Sequence, residues 1–143
     1  MMMVTFSELS VWDSRYLPDF EALMQQLSDG MPASEERLRA TVADPGSHLF
    51  VVRDGVRIIG CATLCVYYSP TGRKASVEDV VVLDGYRGQH LGRRLMEFLL
   101  QEARRFAPLE IHLTSRPSRE AANALYRSLG FVRRETNAYR LSL

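Results

Sequence analysis

The stretch Leu83-Asp84-Gly85-Tyr86-Arg87-Gly88-Gln89-His90-Leu91-Gly92-Arg93-Arg94 carries the chemistry of an anion site. Val80-Val81-Val82 ahead of it reads as a strand end. Behind it Leu91, Leu95, Leu99 and Ala103 fall on one stripe of a helix. A strand that passes through a glycine-bearing turn into a helix presents several unpaired N–H groups and the positive end of the helix dipole, which together suit phosphate or pyrophosphate. Gly88 lets the backbone approach such a ligand, and Gly92, one turn in, is expected to leave room for close packing. Two glycines near a helix start would also serve as a plain cap. The segment lacks the Lys-Ser/Thr of a Walker loop and is not G-x-G-x-x-G, which weakens nucleoside triphosphate and dinucleotide readings.

The elements around this joint follow from periodicity. Val4-Thr5-Phe6 reads as an edge strand; Leu17, Phe20, Met24 and Leu27 recur at helical spacing, with Gly30 as a stop. Ser34 before Glu35 and Glu36 predicts the capped, acidic first turn of a second helix carrying Leu38 and Val42, left at Pro45-Gly46. Leu49-Phe50-Val51-Val52, the pair Asp54-Gly55 and the β-branched run 56–68 predict a hairpin. A loop, Ser69-Pro70-Thr71-Gly72, leads to a strand over 75–83, whose continuous apolar end marks it as central. A helix from about Gly88 to before Pro108, a strand over 109–114, a helix over 118–129 closed by Gly130 and a final hairpin over 131–143 complete the chain. The order βααβββαβαββ predicts an α/β (α+β) fold, with a mixed, mostly antiparallel sheet of about six to seven strands flanked by about four helices. In open sheets ligands bind at the carboxyl ends of the strands, which again points to the joint after Val82.

Composition narrows the function. At 143 residues the chain is expected to be a single domain, 1–143. Eighteen basic residues against 17 acidic ones leave a net charge of +1, so no overall field favours nucleic acid or a membrane surface. No apolar run approaches the ~20 residues of a membrane span, and Met1-Met2-Met3 opens no signal-peptide pattern, so the expected location is cytoplasmic. Cys61 and Cys65, four apart in a strand, stand roughly 13 Å from each other, too far for a disulfide. They read as small buried hydrophobes, and no metal site is expected. His48, His90 and His112 are scattered, and no nucleophile–histidine grouping emerges.

Arg87-Gly88-Gln89-His90-Leu91-Gly92 resembles the Q/R-x-x-G-x-G/A signature of the GNAT acetyltransferases. Val80-Val81-Val82 resembles their splayed fourth strand, and Ala124-Leu125-Tyr126-Arg127-Ser128-Leu129-Gly130-Phe131 resembles their C-terminal L-Y-x-x-x-G-F motif. With the order of elements, the resemblance covers nearly the whole chain. It implies acetyl-CoA as co-substrate, with Arg87, Gly88, Gln89, His90, Leu91, Gly92 and Arg93 around the pyrophosphate and Val80, Val81 and Val82 along the pantetheine arm. The backbone of Val80 and Val82 would pair with that arm like an added strand. Arg87, Arg93, Arg73 or Lys74 would meet phosphate charges or form a solvated face. Two departures stand out. His90 replaces the signature's first glycine, tolerable if it keeps helical dihedrals, and similar R-G-K-Q-L-G loops occur in glucosamine 6-phosphate N-acetyltransferases. Arg119 stands where many members carry asparagine, which makes Asn123 the candidate cofactor contact instead.

Acetyl transfer needs a neutral amine, a polarised thioester carbonyl and a proton for the leaving thiolate. An alkyl amine has a pKa near ~10.4, so a base is required, and Glu78, just ahead of the strand end, is the candidate, directly or through water. Asp79 would face the other way in a regular strand. Tyr126, matched to the family's tyrosine, is the candidate acid, since a phenol of pKa ~10 can hydrogen-bond or protonate a thiolate. Trp12, Tyr67 and Tyr68 are pocket candidates, with acceptor specificity expected from the first two helices and the 69–74 loop. The resulting expectation is direct acetyl transfer in a ternary complex to a primary amine of a small molecule. A protein or peptide amine, and a non-catalytic acyl-CoA sensor, are the alternatives. Members are often dimers, so a homodimer pairing through the last strands is the corresponding expectation.

Overall fold

Ser34 accepts a hydrogen bond from the Arg37 amide and so starts α2, Glu35–Ala43, with Glu35 and Glu36 in its first turn where the dipole favours carboxylates. Before it α1, Leu17–Gln26, opens with Pro18 in the first turn and buries Phe20 and Leu23. These come from a computed structural model that describes residues 3–27, 31–86 and 88–143. Gly30, the expected stop of α1, and Arg87, the first residue of the anion motif, lie outside the described residues. Two compact units are present, Met1–Leu113 and Thr114–Leu143.

The first unit is built on one sheet in the order β1-β2-β3-β4-β5. Its strands are β1 Val4–Glu8, β2 Ser47–Asp54, β3 Arg57–Ser69, β4 Gly72–Val82 and β5 Glu110–His112. Neighbours are antiparallel up to β4; β5 is parallel to β4, joined to it through the helix α3, Leu91–Ala103. Leu49, Val51, Cys61 and Val81 belong to one face and form a buried cluster with Phe20 and Leu23 of α1 and Leu38 of α2. Alternation sends Phe50 to the other face, where Phe98 of α3 meets it edge-on at 5.6 Å. On α3 the stripe Leu91, Leu95, Leu99 and Ala103 is buried, together with Met96. Each such leucine contributes about 1.5–3 kcal/mol.

The second unit contains α4, Glu120–Ser128, closed by Gly130 at a φ of 100°. Residues 131–143 carry no strand, so the final hairpin and the last two strands of the expected order are absent and the sheet has five strands rather than six or seven. Val132, Tyr139 and Leu141 lie exposed, and without a buried apolar row nothing pins a register. The mixed α/β class stands.

Candidate active site

The carboxyl end of β4 departs from regular strand geometry. Cys61 pairs with Val81 and Thr63 with Glu78, so Asp79 and Val80 together stand opposite Ala62 as a bulge. Asp79 accommodates the extra residue by adopting a φ of 52°, a left-handed conformation that aspartate tolerates better than most side chains. On the other edge β4 meets β5 only through Lys74, Ala75 and Ser76, opposite Glu110, Ile111 and His112. The Val80-Val81-Val82 end runs on past β5 with no strand on that edge among the described residues. Leu83 donates its amide to the Ile59 carbonyl, so the N–H and C=O of Val82 face away from β3 toward this open edge, as does the Val80 carbonyl, trans to the Val81 amide that is turned to Cys61. Val81 is turned the other way: it pairs with Cys61 and its side chain is in the core.

Past the strand end the chain makes a short 3-10 turn, Asp84–Tyr86, and reaches α3 at Leu91, three residues later than the sequence suggests. The reason is His90, whose φ of 57° and ψ of 25° are left-handed rather than helical, contrary to the condition set for it above. Gly88 is left-handed too, at 84°. Among the described residues His90 makes no side-chain capping bond, and the first turn of α3 contains no acid but holds Arg93 and Arg94. Arginines at the positive end of a helix are electrostatically misplaced unless an anion joins them. Arg94 also lies over the Phe6 ring, and Arg93 is 3.8 Å from Glu97. A Cβ added at Gly88 or Gly92 would meet nothing within 4 Å, so packing inside the chain does not require Gly92, contrary to expectation. The open space in front of these amides fits a pyrophosphate. Gln89 and His90 are exposed there, and Leu91 is buried beneath.

The sequence model of the acetyltransferase (GNAT) family matches residues 9–131, across both the strand end and α4. The chain belongs to that family. It is 30% identical over 130 residues to the N-alpha-acetyltransferase RimI of Mycobacterium tuberculosis, covering 91% of this chain and 79% of that protein. An acetyltransferase structure from Trypanosoma brucei superposes with a TM-score of 0.75 at 27% identity, covering 99% of this chain and 100% of that one. An aminoglycoside N-acetyltransferase in complex with CoA shares the fold, with a TM-score of 0.80 at 15% identity and coverage of 99% and 96%. GNAT proteins are acyltransferases that use acetyl-CoA, and this acetyltransferase is an enzyme of that class.

On the acetyltransferase's α1/α2 face Glu78 is exposed, because it pairs with Thr63, itself two residues from the buried Cys61 on that side. Asp79 is exposed as well; the bulge removes the strict alternation that would have separated the two carboxylates. Arg73 and Lys74 are not near the anion turn. They sit at the start of β4, about 30 Å from Val82 at ~3.3 Å per residue. There Arg73 donates to the Tyr68 hydroxyl and the Phe106 carbonyl, and Lys74 to Thr71. The 69–74 loop and the exposed Tyr67 and Tyr68 share that far end. Trp12 is a packing residue: its indole donates to Glu35 at 3.0 Å, and its ring lies against Tyr16 and Phe20.

In the second unit Tyr126 is buried on α4 with Phe131 edge-on at 6.0 Å. Burial pushes its phenol above the ordinary value, and Arg119 pulls partly back. Asn123 donates its side-chain amide to the Arg116 carbonyl at 3.0 Å, bracing the approach to α4. Two residues around the strand end were not singled out in the sequence. Tyr86 fixes the turn to the β2–β3 hairpin by donating to Asp54 at 2.7 Å, a bond that raises its own phenol pKa. Gln26 reaches β4 from α1. Neither position has a spacing signal, since each works through a partner distant in sequence. Among the described residues no group of His, Cys, Asp and Glu is placed to hold a metal, and no helix is long and apolar enough to cross a membrane.

Proposed function

We propose that this protein transfers the acetyl group of acetyl-CoA directly to a primary amine bound in the same complex. The observation that carries the reading is the open edge at Val80 and Val82 leading into an uncapped, glycine-bearing helix start with basic residues in its first turn. The amides from Gly88 to Arg93 hold the pyrophosphate, and the open edge takes the pantetheine arm as an added strand. Acetyl-CoA supplies an activated thioester. Glu78 accepts the amine proton, backbone N–H groups of the strand end stabilise the oxyanion, and Tyr126 gives its proton to the thiolate as the C–S bond breaks. Cys61 and Cys65 as unpaired thiols support a reducing, cytoplasmic setting.

For the acceptor, the reading from sequence is a small-molecule primary amine. The exposure of both Glu78 and Asp79 supports a second one, a peptide amine, which needs an open acidic approach rather than an enclosed pocket. The relative from Mycobacterium tuberculosis, an N-alpha-acetyltransferase, adds to it. Thermal unfolding with and without acetyl-CoA tests the cofactor: a hundredfold excess over Kd adds about 2.7 kcal/mol and raises Tm by several degrees. Thiol release is then measured with amino sugars, polyamines and short peptides. Turnover with either group assigns the acceptor class. Binding without turnover across the panel supports the sensor alternative, and no Tm shift at millimolar acetyl-CoA refutes the reading.

A further inference from the structure

Gln26, the last residue of α1, spans the end of β4 with both atoms of its carboxamide. Its Nε2 donates to the Val82 carbonyl at 2.6 Å, and its Oε1 accepts from the Asp84 amide at 2.9 Å. Both backbone groups lie on the open edge, because the intervening Leu83 amide is directed to Ile59 on the opposite side. In a parallel pair a carbonyl and the amide two residues later are taken by the N–H and C=O of one residue of the neighbouring strand, and here one side-chain carboxamide takes both. Gln26 therefore supplies one rung of the strand that β4 lacks there.

That rung sits at the junction of the two cofactor subsites. Upstream, the Val82 amide and the Val80 carbonyl remain on the open edge; downstream, Asp84 begins the turn into Gly88 and α3. We infer that Gln26 is a positioning residue for acetyl-CoA: it ends the strand-like track at the Val82 carbonyl and fixes the turn, so that an arm lying along β4 is aimed at the helix amides. The inference rests on the cofactor reading above. Docking of α1 does not account for the two bonds, since Phe20 and Leu23 are fully buried and each outweighs a net hydrogen bond. Gln26 also ends the helix that covers the face bearing Glu78, so one side chain joins the acceptor side to the cofactor strand.

The test is Gln26→Met, which keeps length and packing and removes both bonds, beside Gln26→Ala. Calorimetric acetyl-CoA binding, Tm without cofactor and hydrogen exchange of the Asp84 amide are measured on the full chain. The expected result is an acetyl-CoA Kd raised about tenfold, the equivalent of about 1.4 kcal/mol, with faster Asp84 exchange and an apo Tm within a few degrees of the parent. Gln26→Glu, which keeps the acceptor for Asp84 but turns an oxygen toward the Val82 carbonyl, is expected to restore slow Asp84 exchange without restoring affinity. Unchanged affinity in Gln26→Met, or a loss no larger than its loss of apo stability explains, overturns the inference while the parent's own binding keeps the cofactor reading. A parent that does not bind acetyl-CoA overturns both.

Discussion

The Cys61 thiol lies 3.7 Å from the carbonyl oxygen of Asp79, the residue whose left-handed backbone makes the bulge in β4. A bulge turns one carbonyl out of the ladder, and the part-buried oxygen takes another donor. Cys61 supplies a weak one without the polarity of a serine hydroxyl. The thiol is thus part of the device that lets β4 and β5 part.

Burial, with a smaller contribution from the Asp79 charge, pushes the Cys61 thiol up to about 12 from an ordinary value of 9.0. It should resist alkylation in the native state at neutral pH and label only on unfolding. The unfolded chain loses this proton from about pH 9 while the folded chain keeps it, so the unfolded state binds fewer protons and stability falls as pH rises. The expected loss is about 1.4 kcal/mol by pH 10. Denaturant titrations at several pH values check it: Cys61→Ala lowers overall stability but flattens the alkaline slope, and an unchanged slope contradicts the assignment.

His90 holds a conformation that costs an ordinary side chain about 1–2 kcal/mol. Replacement by glycine removes that strain and adds about 0.5–1 kcal/mol of unfolded-state entropy. His90→Gly is therefore expected to stabilise slightly, with acetyl-CoA affinity kept, whereas His90→Val destabilises by more than 1 kcal/mol. Tm values and cofactor titration decide the matter; a glycine variant less stable than the parent would mean that the imidazole makes a contribution beyond its backbone.

Much of this arrangement is legible in the residues. The Ser34 cap, the Asp54-Gly55 turn and the α3 stripe follow from local rules, and the strand–turn–helix joint that we propose as an anion site follows from them as well. What escaped is non-local. The bulge at Asp79 depends on register against β3, Gln26 on the crossing of α1 over β4, and the absence of strands in 131–143 on there being no buried apolar row to pin a register. Proximity in sequence also misled: Arg73 and Lys74 precede Val80 closely in the chain, yet an extended strand carries them far away.

The empty space before Gly92 separates a folding role from a binding one. Alanine is about 1 kcal/mol better than glycine inside a helix. Gly92→Ala, and even Gly92→Leu, should fold at least as well as the parent, since the added Cβ meets nothing within 4 Å. If the first turn of α3 holds pyrophosphate, the leucine fills the space the phosphates need, and acetyl-CoA affinity should fall more than tenfold while apo Tm holds or rises. A parallel loss of Tm and affinity would return Gly92 to a packing role.

As the proposed acid, Tyr126 must stay protonated wherever the enzyme works. Its phenol lies above the ordinary ~10 because burial disfavours the phenolate, with Arg119 opposing the shift. An alkaline loss of kcat from this group therefore begins above pH ~10, and Arg119→Met moves that limb further up by removing the cation that favours phenolate. Tyr126→Phe keeps the packing against Phe131 and removes the proton, so kcat should fall by about 10²-fold with little change in acetyl-CoA Kd. Glu78→Gln, which removes the proposed base, should lower kcat comparably, again with little change in acetyl-CoA Kd. With the profile carried past pH ~10, an alkaline limb that Arg119→Met leaves unmoved would contradict the assignment, and full activity in Tyr126→Phe would assign the thiolate's proton to solvent.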